Sequence, residues 1–530
     1  MTFRPLSLTA LLIFVFVAGL IGYLITEPNS EKQPEAAETT TVTSQKPRTS
    51  LPENKPLNRS QRRSGDTSNE DETPPFALEN ERIVRFKDDE AYRRFLASLQ
   101  DRGLTLLAKS DRLRATRVRF GSGSNLEDID GAELSFNFQV GLPTPPDGGV
   151  QPGAVGFGRD ALAWLGIDGD NSAWGNDVTV AVIDSGVNEH IALEGVTNIE
   201  LTTITGEQLS HGTAVASIIS GDHPLTRGVA PASDILSIRV TDDSGTADSF
   251  TLAEGIIQAV EGGAEVINIS LGTFGDSPLV ADAVAFAQAN GSVIVASSGN
   301  SGLDLIAFPA AYDGVISVGA VESGGDHLDF SNSGAGLSIT APGLEVNAAW
   351  GEGQLIAFSG TSASAPFVSG AIAATMSENP QLTAQQAADL VLSLANDAGL
   401  PGDDADFGAG TLDVGRVMEN GTPGIFDAAV TGQVLVSADS STSLPQVLVT
   451  VQNQGTETLI NSPVTITSPS GTREVNVSSL SPGETQTFPI PLVVPTDGGA
   501  VQITSSIATS STDQDISNNT RSTSFSQEEE

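Results

Sequence analysis

Between residues 155 and 420 the chain carries two alternating hydrophobic patterns. Short runs rich in Val, Ile and Ala at 178–183, 235–240, 266–269 and 293–296 look like strands buried on both faces, as in a parallel sheet. Between them, 212–220, 251–261 and 280–290 have the length and composition of helices. This succession predicts an α/β layered domain with a mostly parallel central sheet.

The pattern changes on either side. Upstream, Glu81-Arg82-Ile83-Val84-Arg85-Phe86 alternates as a strand does, and Tyr92, Phe95, Leu96 and Leu99 share one helix face within 89–99. Strands are expected at 104–108, 115–120 and 133–140, which makes 79–142 a small α+β domain. Pro143, Pro145, Pro146, Gly148 and Gly149 then read as an exposed linker, at 143–157. Downstream, Val447, Val449 and Val451 alternate, as do Val464 and Ile466, Val475 and Val477, and Val501, Ile503 and Ile507. Turn residues at 453–455, 469–471 and 482–483 separate them, so 425–525 reads as a β-sandwich.

The N-terminus is different again. Arg4 precedes a 20-residue uncharged, mostly apolar run at 6–25, long enough to span a bilayer. Glu27, Glu31, Glu35 and Glu38 follow and favour N-in, C-out insertion. No clean cleavage site follows, so an uncleaved signal anchor is preferred to a removed signal peptide within 1–26. Residues 27–78, rich in Thr, Ser, Pro, Glu and Arg, read as a disordered linker. Either membrane reading exports the rest: a membrane-anchored precursor facing outside, and a mature form that is extracellular or periplasmic.

Charge sharpens this division. The 530 residues carry a formal charge of −41. Residues 1–120 hold 19 basic and 16 acidic residues, a net of +3, whereas 121–530 hold 6 and 50, a net of −44. The last lysine is Lys109. So acidic a body excludes nucleic acid as a partner, and the absence of cysteine excludes disulfides and thiolate metal sites.

Four polar groups end or open the elements of the α/β domain. The strand at 178–183 runs into Asp184-Ser185-Gly186, and His211-Gly212-Thr213 opens a helix. The run at 293–298 ends in Gly299-Asn300. Gly360-Thr361-Ser362 opens another helix, with Pro366 near its start. An acid, an imidazole, a hydroxyl and an amide donor are what acyl transfer to serine needs. The hydroxyl requires a base, the base an orienting acid, and the oxyanion a fixed donor.

These motifs, with Gly228-Val229-Ala230-Pro231, Val266-Ile267-Asn268-Ile269-Ser270-Leu271-Gly272 and Ala341-Pro342-Gly343 in the same order, resemble the subtilisin-like serine proteases over roughly 158–421. The resemblance implies Ser362 as nucleophile, His211 as general base then acid, and Asp184 as its orienting acid. Asn300 with the Ser362 N–H would form the oxyanion hole. Ser270, Leu271 and Gly272 would line the substrate cleft opposite Ser244, Gly245 and Thr246, and a peptide would bind there as an added strand. No cofactor is required for this chemistry. A structural calcium is compatible with it, but no metal ligand is identified; Asp168-Gly169-Asp170-Asn171 resembles a calcium loop only superficially. Ala214, Ser217, Ala363 and Phe367 depart from the usual family residues at positions without a catalytic role. His190, His223 and His327 lack such context and are expected to face solvent.

The same resemblance implies that 79–142 is an intramolecular inhibitor, a prodomain, with self-cleavage between Glu133 and Gly158; a permanently attached accessory domain is the alternative. The sandwich resembles cell-adhesion-related Ig-like domains, as a binding module or a passive stabiliser. Three functions compete: a secreted endopeptidase, an inactive protease fold used for binding, and a narrow processing protease. Every catalytic position is filled, which favours an active enzyme.

Overall fold

The computed structural model describes residues 40–42, 73–143, 150–206, 208–436, 445–492 and 500–525. The apolar run at 6–25 and most of the expected linker lie outside these residues. Among the described residues no helix is long and apolar enough to cross a membrane. Within the expected linker Thr40–Val42 forms a short strand, and the Leu78 N–H, also inside it, donates to Asn137 O at 2.7 Å.

The N-terminal domain comprises β1 (Glu81–Phe86), α1 (Asp89–Ser98), β2 (Thr105–Ser110), β3 (Ala115–Arg119) and β4 (Ala132–Ser135), in an antiparallel sheet of order β2-β3-β1-β4. Asp88 caps α1 by accepting the Ala91 N–H. Tyr92 and Phe95 of α1 cover Val84, Phe86 and Val118 on one sheet face. On the other face Ile83 and Ala115 pack into the core of the next domain. Both faces of β1 are therefore buried, although its sequence alternates. The expected strand at 133–140 is broken in two. Residues 136–138 turn away from the sheet, and β5 (Gln139–Gly141) pairs instead with a strand of the α/β domain.

That domain is built from β6 (Thr179–Asp184), β7 (Thr197–Glu200), α3 (His211–Ser220), β8 (Asp234–Arg239), β9 (Thr246–Asp248), α4 (Ser249–Glu261), β10 (Val266–Ile269), α5 (Pro278–Ala289), β11 (Val293–Ser297), β12 (Val315–Val321) and β13 (Ile339–Pro342), after a short α2 (Ala161–Trp164). The seven-stranded sheet, of order β13-β12-β11-β10-β6-β8-β7, is parallel throughout. Val180 and Val182 face the layer holding α3 and the long α6 (Thr361–Glu378), and Ala181 and Ile183 face α4 and α5. Burial on both sides explains why these runs are rich in apolar residues. A hairpin of β14 (Val346–Trp350) and β15 (Gln354–Phe358), then α7 (Ala384–Ser393) and α8 (Val414–Glu419), complete it. In the part of the expected linker described here, from 150, Val150 and Val155 are exposed, whereas Phe157 at its end is buried and packs edge-on against Trp164.

The C-terminal domain is an antiparallel sandwich. One sheet joins β16 (Ala428–Val436), β17 (Gln446–Asn453) and β20 (Thr485–Pro491); the other contains β18 (Leu459–Ser468), β19 (Gly471–Leu480), β21 (Val501–Ile507) and β22 (Thr520–Phe525). Val447, Val449 and Val451 meet Val464, Ile466 and Ile503 in its core. Strands β16, β20 and β22 had no clear alternation in the sequence.

Candidate active site

Asp184, His211 and Ser362 come from the end of one strand and the starts of two helices. Asp184 is the last residue of β6 and is fully buried. His211 is the first residue of α3, and its Nδ1 lies 2.9 Å from both Asp184 carboxylate oxygens. A carboxylate only accepts, so Nδ1 carries the proton and Nε2 is left as the basic nitrogen. The Ser185 N–H donates to Asp184 Oδ1 at 2.6 Å and further fixes the carboxylate. Phe358 packs edge-on against the imidazole, with centroids 5.2 Å apart.

The residues flanking this pair explain its motifs. Gly212 lets α3 approach the strand end, because a Cβ there would meet Gly186 O at 2.5 Å. The Gly212 N–H donates to Ser185 Oγ, and Thr213 Oγ1 accepts the Asn188 N–H. These contacts tie the helix start to the turn after β6.

Ser362 is the second residue of α6 and is 2% exposed. Its hydroxyl donates to Ser270 O at 3.2 Å. Pro366 lies beyond the first helical turn, not within it, and so cannot donate to Ser362 O four residues earlier. Ser270 Oγ donates to that carbonyl in its place, at 3.4 Å. Asn268 holds Ser270 from behind: its Nδ2 donates to Ser270 Oγ, and its Oδ1 accepts the Ser369 hydroxyl of α6.

Asn300 is oriented by a residue that sequence reasoning left without a role. Both the N–H and the hydroxyl of Thr361 donate to Asn300 Oδ1, at 2.9 and 2.8 Å. The Gly299 N–H donates to Thr361 Oγ1. With its oxygen taken, Asn300 presents its Nδ2 beside Gly360, where a Cβ would stand 2.7 Å from that nitrogen. Gly360 also has φ +125°, a conformation side chains rarely adopt. The signal available in the sequence was a hydroxyl-bearing residue directly before the candidate nucleophile.

The two segments expected as cleft edges lie on either side of one strand. Gly245 O and both main-chain groups of Gly272 are bonded to a strand lying between them. Leu271 is wholly buried, in an apolar cluster that also holds Val140 of that strand. Asp242 fastens the other edge by accepting from Ser244 N and Oγ and from Thr246 N. Burial opposes ionisation of Asp242, but these donors outweigh it and hold its carboxyl below the usual range.

The strand between the edges is β5. Gly141 exchanges both main-chain bonds with Gly272, and the Leu142 N–H donates to Gly245 O at 3.0 Å. Residues 139–141 pair antiparallel with 246–248.

Two other expectations change. His190 and His327 are buried, with His190 Nε2 3.0 Å from Gln354 O. The Asn171 amide donates to Gly228 O and Val229 O, so it serves as a loop anchor. Among the described residues no group of three or more His, Asp or Glu is arranged to hold a metal.

Residues 175–410 match the family model described as "Subtilase family". Subtilisin DY of Bacillus licheniformis is 35% identical over 252 residues, covering 45% of this chain and 90% of that protein. A thermostable alkaline protease of Halalkalibacterium halodurans is 32% identical, covering 46% and 69%. Fervidolysin from Fervidobacterium pennivorans, described as a keratinolytic enzyme related to subtilisin, shares the fold at 19% identity, with a TM-score of 0.56 and coverage of 82% and 87%. The chain belongs to the subtilase family and is a subtilisin-like serine endopeptidase.

Proposed function

We propose that this endopeptidase works through Asp184, His211 and Ser362, and that it is made as an exported, membrane-anchored zymogen which its own N-terminal domain inhibits until self-cleavage. The observation that carries this reading is the position of residues 139–142, which lie as an added strand between Gly245 and Gly272, where a peptide substrate would lie.

The chemistry follows from the contacts. His211 Nε2 takes the proton of Ser362 as the hydroxyl turns from Ser270 O and attacks the peptide carbonyl. Asp184 keeps the proton on Nδ1 and stabilises the imidazolium. Asn300 Nδ2 and the Ser362 N–H stabilise the oxyanion. His211 protonates the leaving amine, and water then hydrolyses the acyl-enzyme.

Inhibition is supported by the seam between the two domains. Arg85 bonds Asp282, and Arg112 bonds Glu261 at 2.7 Å. The buried Asn137 carboxamide accepts Ser249 Oγ and the Phe250 N–H at the start of α4. The basic N-terminal part and the acidic body thus meet in specific pairs. Cleavage after β5 would separate the body from the apolar run at 6–25 and release it outside the cell.

A serine-directed fluorophosphonate probe tests this reading. It should label the processed enzyme and fail to label Ser362→Ala, which should accumulate as full-length, membrane-associated protein. Release of a mature-sized fragment by Ser362→Ala would show that another protease does the processing.

A further inference from the structure

The register of the strand in the cleft identifies the bond it offers to Ser362; this inference rests on the self-processing reading. Gly141 and Gly272 donate N–H to each other's carbonyl at 3.1 and 3.0 Å. In an antiparallel ladder such mutually bonded pairs recur at every second residue, in opposite directions along the two strands. The next pair toward the nucleophile is therefore Pro143 with Ser270. Proline has no N–H, so the strand cannot supply the bond that Ser270 O would accept. That carbonyl takes the Ser362 hydroxyl, at 3.2 Å. Upstream the strand is held firmly: Leu142 N–H is bonded to Gly245 O, and Val140 is fully buried in the apolar core.

We propose that the first self-cleavage breaks the bond from the Pro143 carbonyl carbon to the Thr144 nitrogen, and that the missing N–H of Pro143 makes this segment a slow substrate of its own enzyme. In the step, Ser362 Oγ bonds to the Pro143 carbonyl carbon, and its proton passes through His211 to the departing Thr144 amine. Water then returns the carbonyl as a carboxylate and restores Ser362. Proline slows this in two ways. The carbonyl under attack lacks one of its main-chain tethers to the cleft. Ser270 O also keeps the Ser362 hydroxyl, in competition with His211. Inhibition therefore outlasts folding. Any residue with an N–H at this position would complete the ladder and displace the hydroxyl toward His211, so peptides with a non-proline residue there are the preferred substrates.

The test uses the full chain as wild type, Pro143→Ala, Pro143→Ser and Ser362→Ala, with mass spectrometry of the earliest product during a processing time course. The earliest N-terminus is expected at Thr144 in the first three. Processing by both Pro143 variants should be about 2- to 10-fold faster, the range for one main-chain hydrogen bond. The cut falls after residue 143, so their mature enzymes are the same molecule as wild type and should hydrolyse a soluble peptide equally well. That equality separates an effect on processing from one on the enzyme. A first N-terminus elsewhere overturns the register, and unchanged or slower processing in both Pro143 variants overturns the role of the missing N–H. Continued processing in Ser362→Ala would instead refute self-processing itself.

Discussion

Arg117 of the N-terminal domain donates to Asp248 of the catalytic domain at 2.6 Å, and Asp248 is also the N-cap of α4. The same guanidinium holds the buried Glu81 at 2.7 Å. Replacing Arg117 with Ala takes the shared guanidinium from two largely buried carboxylates, at a cost of about 3 kcal/mol. In a Ser362→Ala background, Arg117→Ala should lose its N-terminal domain to limited proteolysis much faster than the parent. Equal rates would mean that the seam does not depend on this contact.

Glu81 adds a pH dependence to the same seam. Burial opposes its ionisation, but Arg117, Asn137 and Arg119 together hold its carboxyl below the ordinary value of 4.5. A lowered folded pKa contributes stability that is present above 4.5 and lost as the pH falls through the folded value. Hydrogen exchange should therefore show the N-terminal domain loosening as the pH falls below 4.5, and Glu81→Gln should remove much of that dependence.

Asp427 has the opposite sign. It lies at the entry to the sandwich, where burial, with Asp513, Asp515 and Asp413 nearby, pushes its carboxyl up from 3.8 to about 7, against the Asn518 amide that bonds it. The stability contributed by this raised pKa is full below 3.8 and is lost as the pH rises through about 7. Asp427→Asn keeps an oxygen for Asn518 and avoids the charge. It should stabilise the protein at pH 8 by on the order of 2 kcal/mol and by little near pH 4, as read from thermal unfolding at both.

The Thr361–Asn300 contact predicts a graded series. Asn300→Ala should lower kcat by 10²–10³, equivalent to about 2.7–4 kcal/mol, the figure for removing this kind of donor from a subtilisin. Thr361→Val leaves the Asn300 amide unanchored on one side and should cost about tenfold in kcat with KM little changed. In Gly360→Ala a methyl group would press on Asn300 Nδ2, and the loss should approach that of Asn300→Ala while the fold survives. Steady-state kinetics with circular dichroism on the three variants decides this.

The processed enzyme would contain no lysine and would be strongly acidic, with 30 Asp and 20 Glu against 6 Arg in residues 121–530. Self-repulsion eases as salt shortens the Debye length. Activity and thermal stability should hold or rise up to about 0.5 M salt; a steady decline in both across that range would refute adaptation to saline surroundings.

Much of this molecule was legible along the chain because its signals are local. Runs buried on both faces, such as Val266–Ile269, can hardly be anything but interior strands, and all four expected strands of the main sheet formed within a residue or two. Asp184, His211, Asn300 and Ser362 were recognisable because each sits at an element end beside the small residues that its position demands. The strand expected at 133–140 failed because a propensity pattern does not register which sheet a residue joins: Gln139–Gly141 pairs across domains with 246–248.

The order of residues alone settles the α/β layering and the division of charge, and it singles out the proposed catalytic set, since these depend on periodicity, composition and motif. Tertiary structure alone decides which groups meet across 61 to 131 positions of the chain. It brings the Thr361 hydroxyl to Asn300, Arg117 to Asp248, and Gly141 into the ladder opposite Gly272. Those pairings depend on how strands register and helices dock, and main-chain hydrogen bonds and packing between distant segments fix both only once the chain has folded.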